Sequence, residues 1–169
     1  MDTVENTKKK HTLKGADKKE AFHREAESRI QPFKFASPAK AQDERKIFYW
    51  LGATDILRGS IQVVPQGGDN NTHYHPGADG FWMALSGKVR FYGPEGVIGE
   101  YGPQEGVMIP RNARYWFETA DESQDLHLLH ISAHTEKKPA NSRVNVDPEK
   151  PGYTNSIKVG YPAGKGGGD

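Results

Sequence analysis

The segment Gly67–Gly93 reads GGDNNTHYHPGADGFWMALSGKVRFYG, and its order of residue types decides how the whole chain is read. It opens on Gly, Asp and Asn, the residues a tight turn demands. It then presents His73-Tyr74-His75 and passes through a second turn signal, PGADG, into an aromatic run. Side chains of an extended segment alternate between faces, so His73 and His75 share one face and Tyr74 takes the other. Two imidazoles on one face can converge on a single point. That suits a divalent transition metal, for which neutral imidazole is the commonest nitrogen ligand. Two histidines that merely solvate a strand end would give the same pattern, and only geometry separates the two readings.

Outward from this segment, residues from Lys46 onward form short runs rich in aromatic and β-branched side chains, separated by Gly, Pro, Asn and Asp. These predict antiparallel strands near 46–51, 56–64, 73–74, 81–86, 88–92, 97–101, 106–109, 114–118 and 126–132. Short strands at that spacing predict an all-β closed barrel or jelly roll, which removes exposed sheet edges. Residues 1–45 form a polar N-terminal arm with one predicted helix over 17–30, Asp17 capping it and Glu20 closing a capping box. Phe22, Ala26 and Ile30 give that helix a thin apolar stripe, fit for a surface position or for packing on a second copy in a homodimer. Residues 134–169 are polar and rich in Pro and Gly, a loosely held tail of which 153–159 could lie along the barrel.

The chain has 169 residues, enough for one domain with a core. With 23 basic and 22 acidic residues it carries no electrostatic footprint for nucleic acid, and no apolar run approaches the length that spans a bilayer. The absence of cysteine excludes thiolate ligands and thiol catalysis, so a metal would be held by nitrogen and oxygen. The N-terminus has basic residues with no apolar stretch after them, and a cytoplasmic location is expected.

The segment resembles the first motif of the cupin family, G, five residues, HxH, three or four residues, E, six residues, G. Gly67 or Gly68, His73, His75 and Gly87 occupy matching places, while Gly80 stands where the glutamate belongs, with Asp79 one place earlier. Residues 104–117, QEGVMIPRNARYWF, resemble the second motif, GDxxxIPxGxxHxF, through Ile109, Pro110 and Phe117. There Gln104 and Asn112 replace glycines and Tyr115 replaces the third histidine. Over about residues 46–133 the resemblance implies a cupin double-stranded β-helix, a jelly-roll barrel. It also implies a small-molecule metalloenzyme of dioxygenase, isomerase, decarboxylase or cyclase type, with Fe, Mn, Ni or Zn as cofactor. Two of the family's four ligands are absent. The alternatives are a metal-free cupin that binds a small molecule without catalysis, and a metal-free enzyme using a His and Tyr acid–base pair.

On that basis His73 and His75 are the expected metal ligands, and Asp79 could complete a facial triad, the set that leaves three positions open on ferrous iron. Its place in PGADG equally suits a carboxylate that bonds nearby backbone amides. Tyr115, inward by the resemblance, would hold a substrate oxygen or move a proton, or else simply pack. The run Asp125–His134, DLHLLHISAH, offers a replacement ligand. His130 and His134 share a face and His127 takes the other. His130 is preferred because Leu126, Leu128 and Ser132 share its parity, although Leu129 and Ile131 make the opposite choice nearly as good. Asn70 and Asn71 read as turn residues, and an inward Arg90 or Arg114 would imply an anionic substrate.

Overall fold

The computed structural model describes residues 15–37, 46–135, 143–146 and 156–160. The chain divides into two units, residues 1–32 and 33–169. In the first, α1 (Gly15–Glu27) buries none of its residues. It begins before the expected cap, so Asp17 lies inside the first turn, where a carboxylate opposes the positive end of the helix dipole. Glu20 closes no capping box there and accepts instead from Arg24 at 2.9 Å.

Among the described residues the second unit holds eleven strands, β1 (Ile47–Ala53), β2 (Leu57–Val64), β3 (His73–Tyr74), β4 (Ala78–Ser86), β5 (Val89–Gly93), β6 (Gly96–Tyr101), β7 (Gly106–Ile109), β8 (Trp116–Thr119), β9 (Leu126–His134), β10 (Val144–Asn145) and β11 (Ile157–Val159). They form a six-stranded sheet ordered β11-β1-β2-β9-β4-β7, a three-stranded sheet β6-β5-β8 and the pair β10-β3. Single bridges Asp69↔Glu118 and His73↔Tyr115 lay β3 alongside β8. The hydrogen-bonded sheets do not close into one ring, so the closed barrel is replaced by an open jelly roll. Its long sheet ends in the short edge strands β11 and β7. Two strands beyond the expected set come from the tail. The stretch 157–159 pairs in parallel with β1, and Val144–Asn145 pairs with β3; Tyr153 lies outside the described residues. No helix among the described residues is long and apolar enough to cross a membrane.

Alternation across matched registers fixes what lines the interior. On β9 the inward face runs Leu126, Leu128, His130, Ser132, His134; paired to it on β4 are Ala84, Trp82, Gly80 and Ala78, and on β2 Val64, Gln62, Ser60 and Arg58. One half is therefore apolar. There Val64, Ala84, Val89, Phe91, Phe117, Leu126 and Leu128 are all essentially buried and form the main core. Each large side chain buried there contributes about 1.5–3 kcal/mol. The other half is a polar mouth lined by Ser60, Gly80, His130, Ser132 and His134. The opposite face of the long sheet is not bare: Ile47 and Val63 are covered by Phe35, Tyr49 and Ile157.

Both replaced glycines of the second motif keep a glycine-like backbone, with φ of 71° at Gln104 and 66° at Asn112. Asn tolerates this left-handed region through its short polar side chain, whereas Gln carries the steric cost. Gln104→Gly is expected to raise the urea unfolding midpoint by the equivalent of about 0.5–1 kcal/mol. Asn70 is buried and clamps β8: its N–H donates to the Phe117 carbonyl at 2.9 Å, and its Oδ1 accepts from the Phe117 N–H at 2.7 Å. Asn70→Ala strands that buried N–H and should cost about 1–3 kcal/mol in the same measurement.

Candidate functional site

His73 and Tyr115 are directly opposed residues. The His73 N–H donates to the Tyr115 carbonyl at 3.1 Å and the Tyr115 N–H returns to the His73 carbonyl at 3.0 Å. Opposed residues of an antiparallel pair project to the same side. Both side chains accordingly enter the polar mouth, buried, with ring centroids 4.4 Å apart. His75 stands beside them, its centroid 5.1 Å from His73 and 6.3 Å from Tyr115. The His73 Nδ1 lies 2.7 Å from the Asn71 carbonyl oxygen. A carbonyl only accepts, so Nδ1 carries the proton and Nε2 presents a lone pair.

Trp82 closes the floor. Its indole stacks on the His130 ring at 3.8 Å and 6°, and its centroid is 6.2 Å from that of Tyr115. The Trp82 Nε1, Gln62 Oε1, Asn71 Oδ1 and His134 Nδ1 are buried polar atoms with no hydrogen-bond partner among the described residues. Such atoms mark places where a ligand or water belongs. His134 Nε2 bonds Ser132 Oγ at 3.0 Å.

Burial sets the protonation states. It lowers His73 to about 3, with the Arg143 guanidinium as the second cause and the Asn71 hydrogen bond opposing. Burial, then Arg143, lowers His75 to about 4, and burial, then His75, lowers His130 to about 3. Burial raises the Tyr115 phenol above its ordinary value, with Trp82 and Arg143 offsetting part of the rise. At pH 7 the site holds neutral imidazoles and a neutral phenol.

The other expected site residues fall elsewhere, for identifiable reasons. Asp79 has the opposite parity to Gly80, so its carboxylate leaves the mouth. It accepts from the Arg111 backbone N–H at 2.8 Å and pairs with the Arg111 side chain at 3.2 Å, the backbone bond first among the causes that lower its pKa. Asp79 thus ties down the turn after β7. Gly80 does occupy the inward place of the motif's glutamate. A Cβ there would come within 3.2 Å of Trp82 Nε1 and 3.5 Å of His130 Nε2, so indole and imidazole fill that slot. His130 faces inward and His127 outward, where His127 meets Phe35 and the Ser37 Oγ at 3.1 Å. Arg90 is engaged by Glu100 and Glu118, and Arg114 is exposed. The cation whose charge bears most on the site is Arg143, the residue before β10; Lys46 acts more weakly, on His73. Sequence reading missed Arg143, because nothing local marks a polar tail as the partner of β3.

Among the described residues no three His, Asp or Glu side chains converge as a bound metal requires. His73 and His75 supply two nitrogens, Asp79 is turned away, and His130 belongs to no three-residue cluster among the described residues. Arg143 is the second cause that lowers both imidazoles, and a field that disfavours an imidazolium disfavours a dication too. The residues present do not fit the resident metal that the resemblance implies.

No family model matches the sequence, and no curated protein matches it. Solved structures do. An uncharacterized conserved protein with a double-stranded β-helix domain from Klebsiella pneumoniae has a TM-score of 0.55 at 16% identity, over 72% of this chain and 93% of that one. A cupin superfamily protein from Desulfitobacterium hafniense has 0.52 at 14%, over 63% and 98%. The DMSP lyase DddQ from Ruegeria pomeroyi has 0.53 at 20%, over 82% and 72%. These likenesses show the fold, the cupin double-stranded β-helix.

The imidazoles make stability pH-dependent in a definite direction. His73, His75 and His130 are held at about 3, 4 and 3, against 6.5 for an unperturbed histidine. The unfolded chain therefore binds more protons below about pH 6.5, and the stability these groups contribute is complete above that pH and lost as pH falls toward the folded values. The loss from His73 alone is on the order of 1–2 kcal/mol at pH 5. Urea midpoints should fall from pH 7.5 to pH 5, and His73→Gln should flatten the dependence.

Proposed function

We propose that this cupin-fold chain performs proton transfer on a small organic molecule, with Tyr115 as proton donor, His73 as acceptor and no resident divalent metal. The observation that carries the reading is the opposed pair itself: a phenol held protonated and an imidazole whose Nε2 lone pair is fixed by the Asn71 carbonyl, rings 4.4 Å apart on one face. An acceptor and a donor side by side are what a tautomerisation needs; burial weakens the imidazole as a base and the phenol as an acid, and their fixed proximity to the substrate has to make up the difference. A C–H next to a substrate carbonyl gives its proton to His73 Nε2, the electron pair moves onto the carbonyl oxygen, and that oxygen takes the Tyr115 proton. Return of the His73 proton at a different substrate atom, and of a proton to the phenolate, completes the step with no oxidant, reductant or metal. The buried Trp82 N–H beside the phenol favours the phenolate that the step forms. A preorganised donor in a water-poor site is worth more than it is in water. That another protein of this fold is a DMSP lyase supports reading the mouth as a place for small-molecule chemistry.

The test is deuterium incorporation from D2O, followed by NMR, into a panel of small ketones, aldehydes and keto acids, with protein treated with chelator. Wild-type protein should exchange at least one substrate, and Tyr115→Phe and His73→Gln should each slow that exchange by about 10²-fold or more. Metal analysis should find well under one equivalent per chain. Stoichiometric metal lost together with activity on chelation would assign His73 and His75 as ligands and overturn the proposal. So would exchange indifferent to Tyr115→Phe, or no exchange across the panel.

A further inference from the structure

The long sheet is apolar on both faces over β9, β4 and β7. An antiparallel sheet whose second face meets water alternates apolar with polar residues, and these strands do not. Their inward positions carry the core and the floor of the mouth, yet the outward positions are apolar as well. In matched register Met108 on β7 stands beside Phe81 on β4, Phe81 beside Ile131 on β9, and Met83 beside Leu129; Leu57 on β2, beside Ala133, continues the same face. Met108 is 76% exposed and Phe81 37%, while Met83, Leu129 and Ile131 are half-buried. Toward β1 this face is closed by Phe35, Tyr49 and Ile157; toward β7 it is open.

An open apolar patch of this extent on a folded chain marks a contact surface. Its charge says what fits. None of Met108, Phe81, Met83, Leu129, Ile131 and Leu57 is charged, and the charges at the margin, Asp79 and Arg111, are paired to each other at 3.2 Å. Such a surface gives an acidic or basic partner nothing to pair with, and it meets a copy of itself without repulsion. The polar stretches of the chain do not have the side chains to cover it. Residues 38–45, 136–142, 147–155 and 161–169 contain no Ile, Leu, Val, Met or Phe, and residues 1–14 contain of these only Met1, Val4 and Leu13.

We infer that the outward face of β9, β4 and β7 is the contact of a symmetric homodimer. In a two-fold contact one patch serves both copies, which is what an apolar surface with a self-neutralised margin permits. Sheets stacked face to face lie about 10 Å apart with interdigitated side chains, and the projecting Met108 and Phe81 suit that packing. Alternation ties the contact to the site. Phe81 and Met83 flank Trp82, and Leu129 and Ile131 flank His130, so the partner copy backs the two strands that carry the aromatic floor. The inference is independent of the proton-transfer reading.

The experiment is sedimentation of the full chain from about 1 to 100 μM, as wild type and as the variants Met108→Lys, Phe81→Lys, Val97→Lys and Phe22→Lys. Wild type should sediment at twice the 18.8 kDa of one chain, and its Tm should rise with protein concentration. Met108→Lys puts a charge at a residue that the single chain leaves in solvent, so the fold should persist by circular dichroism while the dimer dissociation constant rises about 100-fold or more. Phe81→Lys should do the same. Val97→Lys, at an apolar residue 60% exposed on β6 of the other sheet, should leave the dimer intact. A single-chain mass at every concentration would overturn the assignment, as would a dimer that withstands both Met108→Lys and Phe81→Lys. A dimer lost with Phe22→Lys but indifferent to Met108→Lys would place the contact on α1 and overturn it as well.

Discussion

The antiparallel run of residues 69–73 along residues 115–118 is the constraint on which the site depends. Four hydrogen bonds define it: one reciprocal pair between the backbones of His73 and Tyr115, and one between Asn70 and Phe117 in which an amide side chain stands in for a carbonyl. They hold the imidazole and the phenol on the same side of the bridged backbones at a separation that neither side chain sets for itself. Phe117, buried and two residues from Tyr115, anchors the same strand in the apolar half of the interior. The rigid half thereby positions the reactive half.

That division also explains the electrostatics. Imidazoles packed against an apolar plug lose solvent, and with Arg143 adding to that burial they stay neutral far below their usual range. The replacement of the motif's glutamate by Gly80 belongs to this pattern and is more than a deletion. The vacated volume is taken by the stacked Trp82 and His130 rings, which exchange a charged oxygen donor for an aromatic floor.

The replaced glycines follow the opposite logic. At Gln104 and Asn112 the residue type changed and the backbone did not, because the turns on either side of β7 are set by pairing that a side chain cannot renegotiate. Gly87, with φ of 72° and an Asp125 carbonyl 2.9 Å from where a Cβ would sit, shows the stricter case in which nothing but glycine fits.

Alternation and turn chemistry made much of this legible in the linear chain. The strands, the shared face of His73 and His75, the shared parity of His130 with Leu126 and Leu128, and the cupin resemblance all follow from residue types at fixed spacing, because a period of two is a local property of extended backbone. Which of two parities looks inward is not local. It was decided by what covers each face: Phe35 and Tyr49 cover one side of the long sheet, turning His127 outward, and a one-residue difference sends Asp79 to Arg111 while Gly80 meets the interior. Arg143 lay furthest from sequence reasoning, since its place comes from a pairing between strands some seventy residues apart that no composition of the tail announces. Local chemistry determined which residues could act; only the closing of distant strands on one another determined which of them meet.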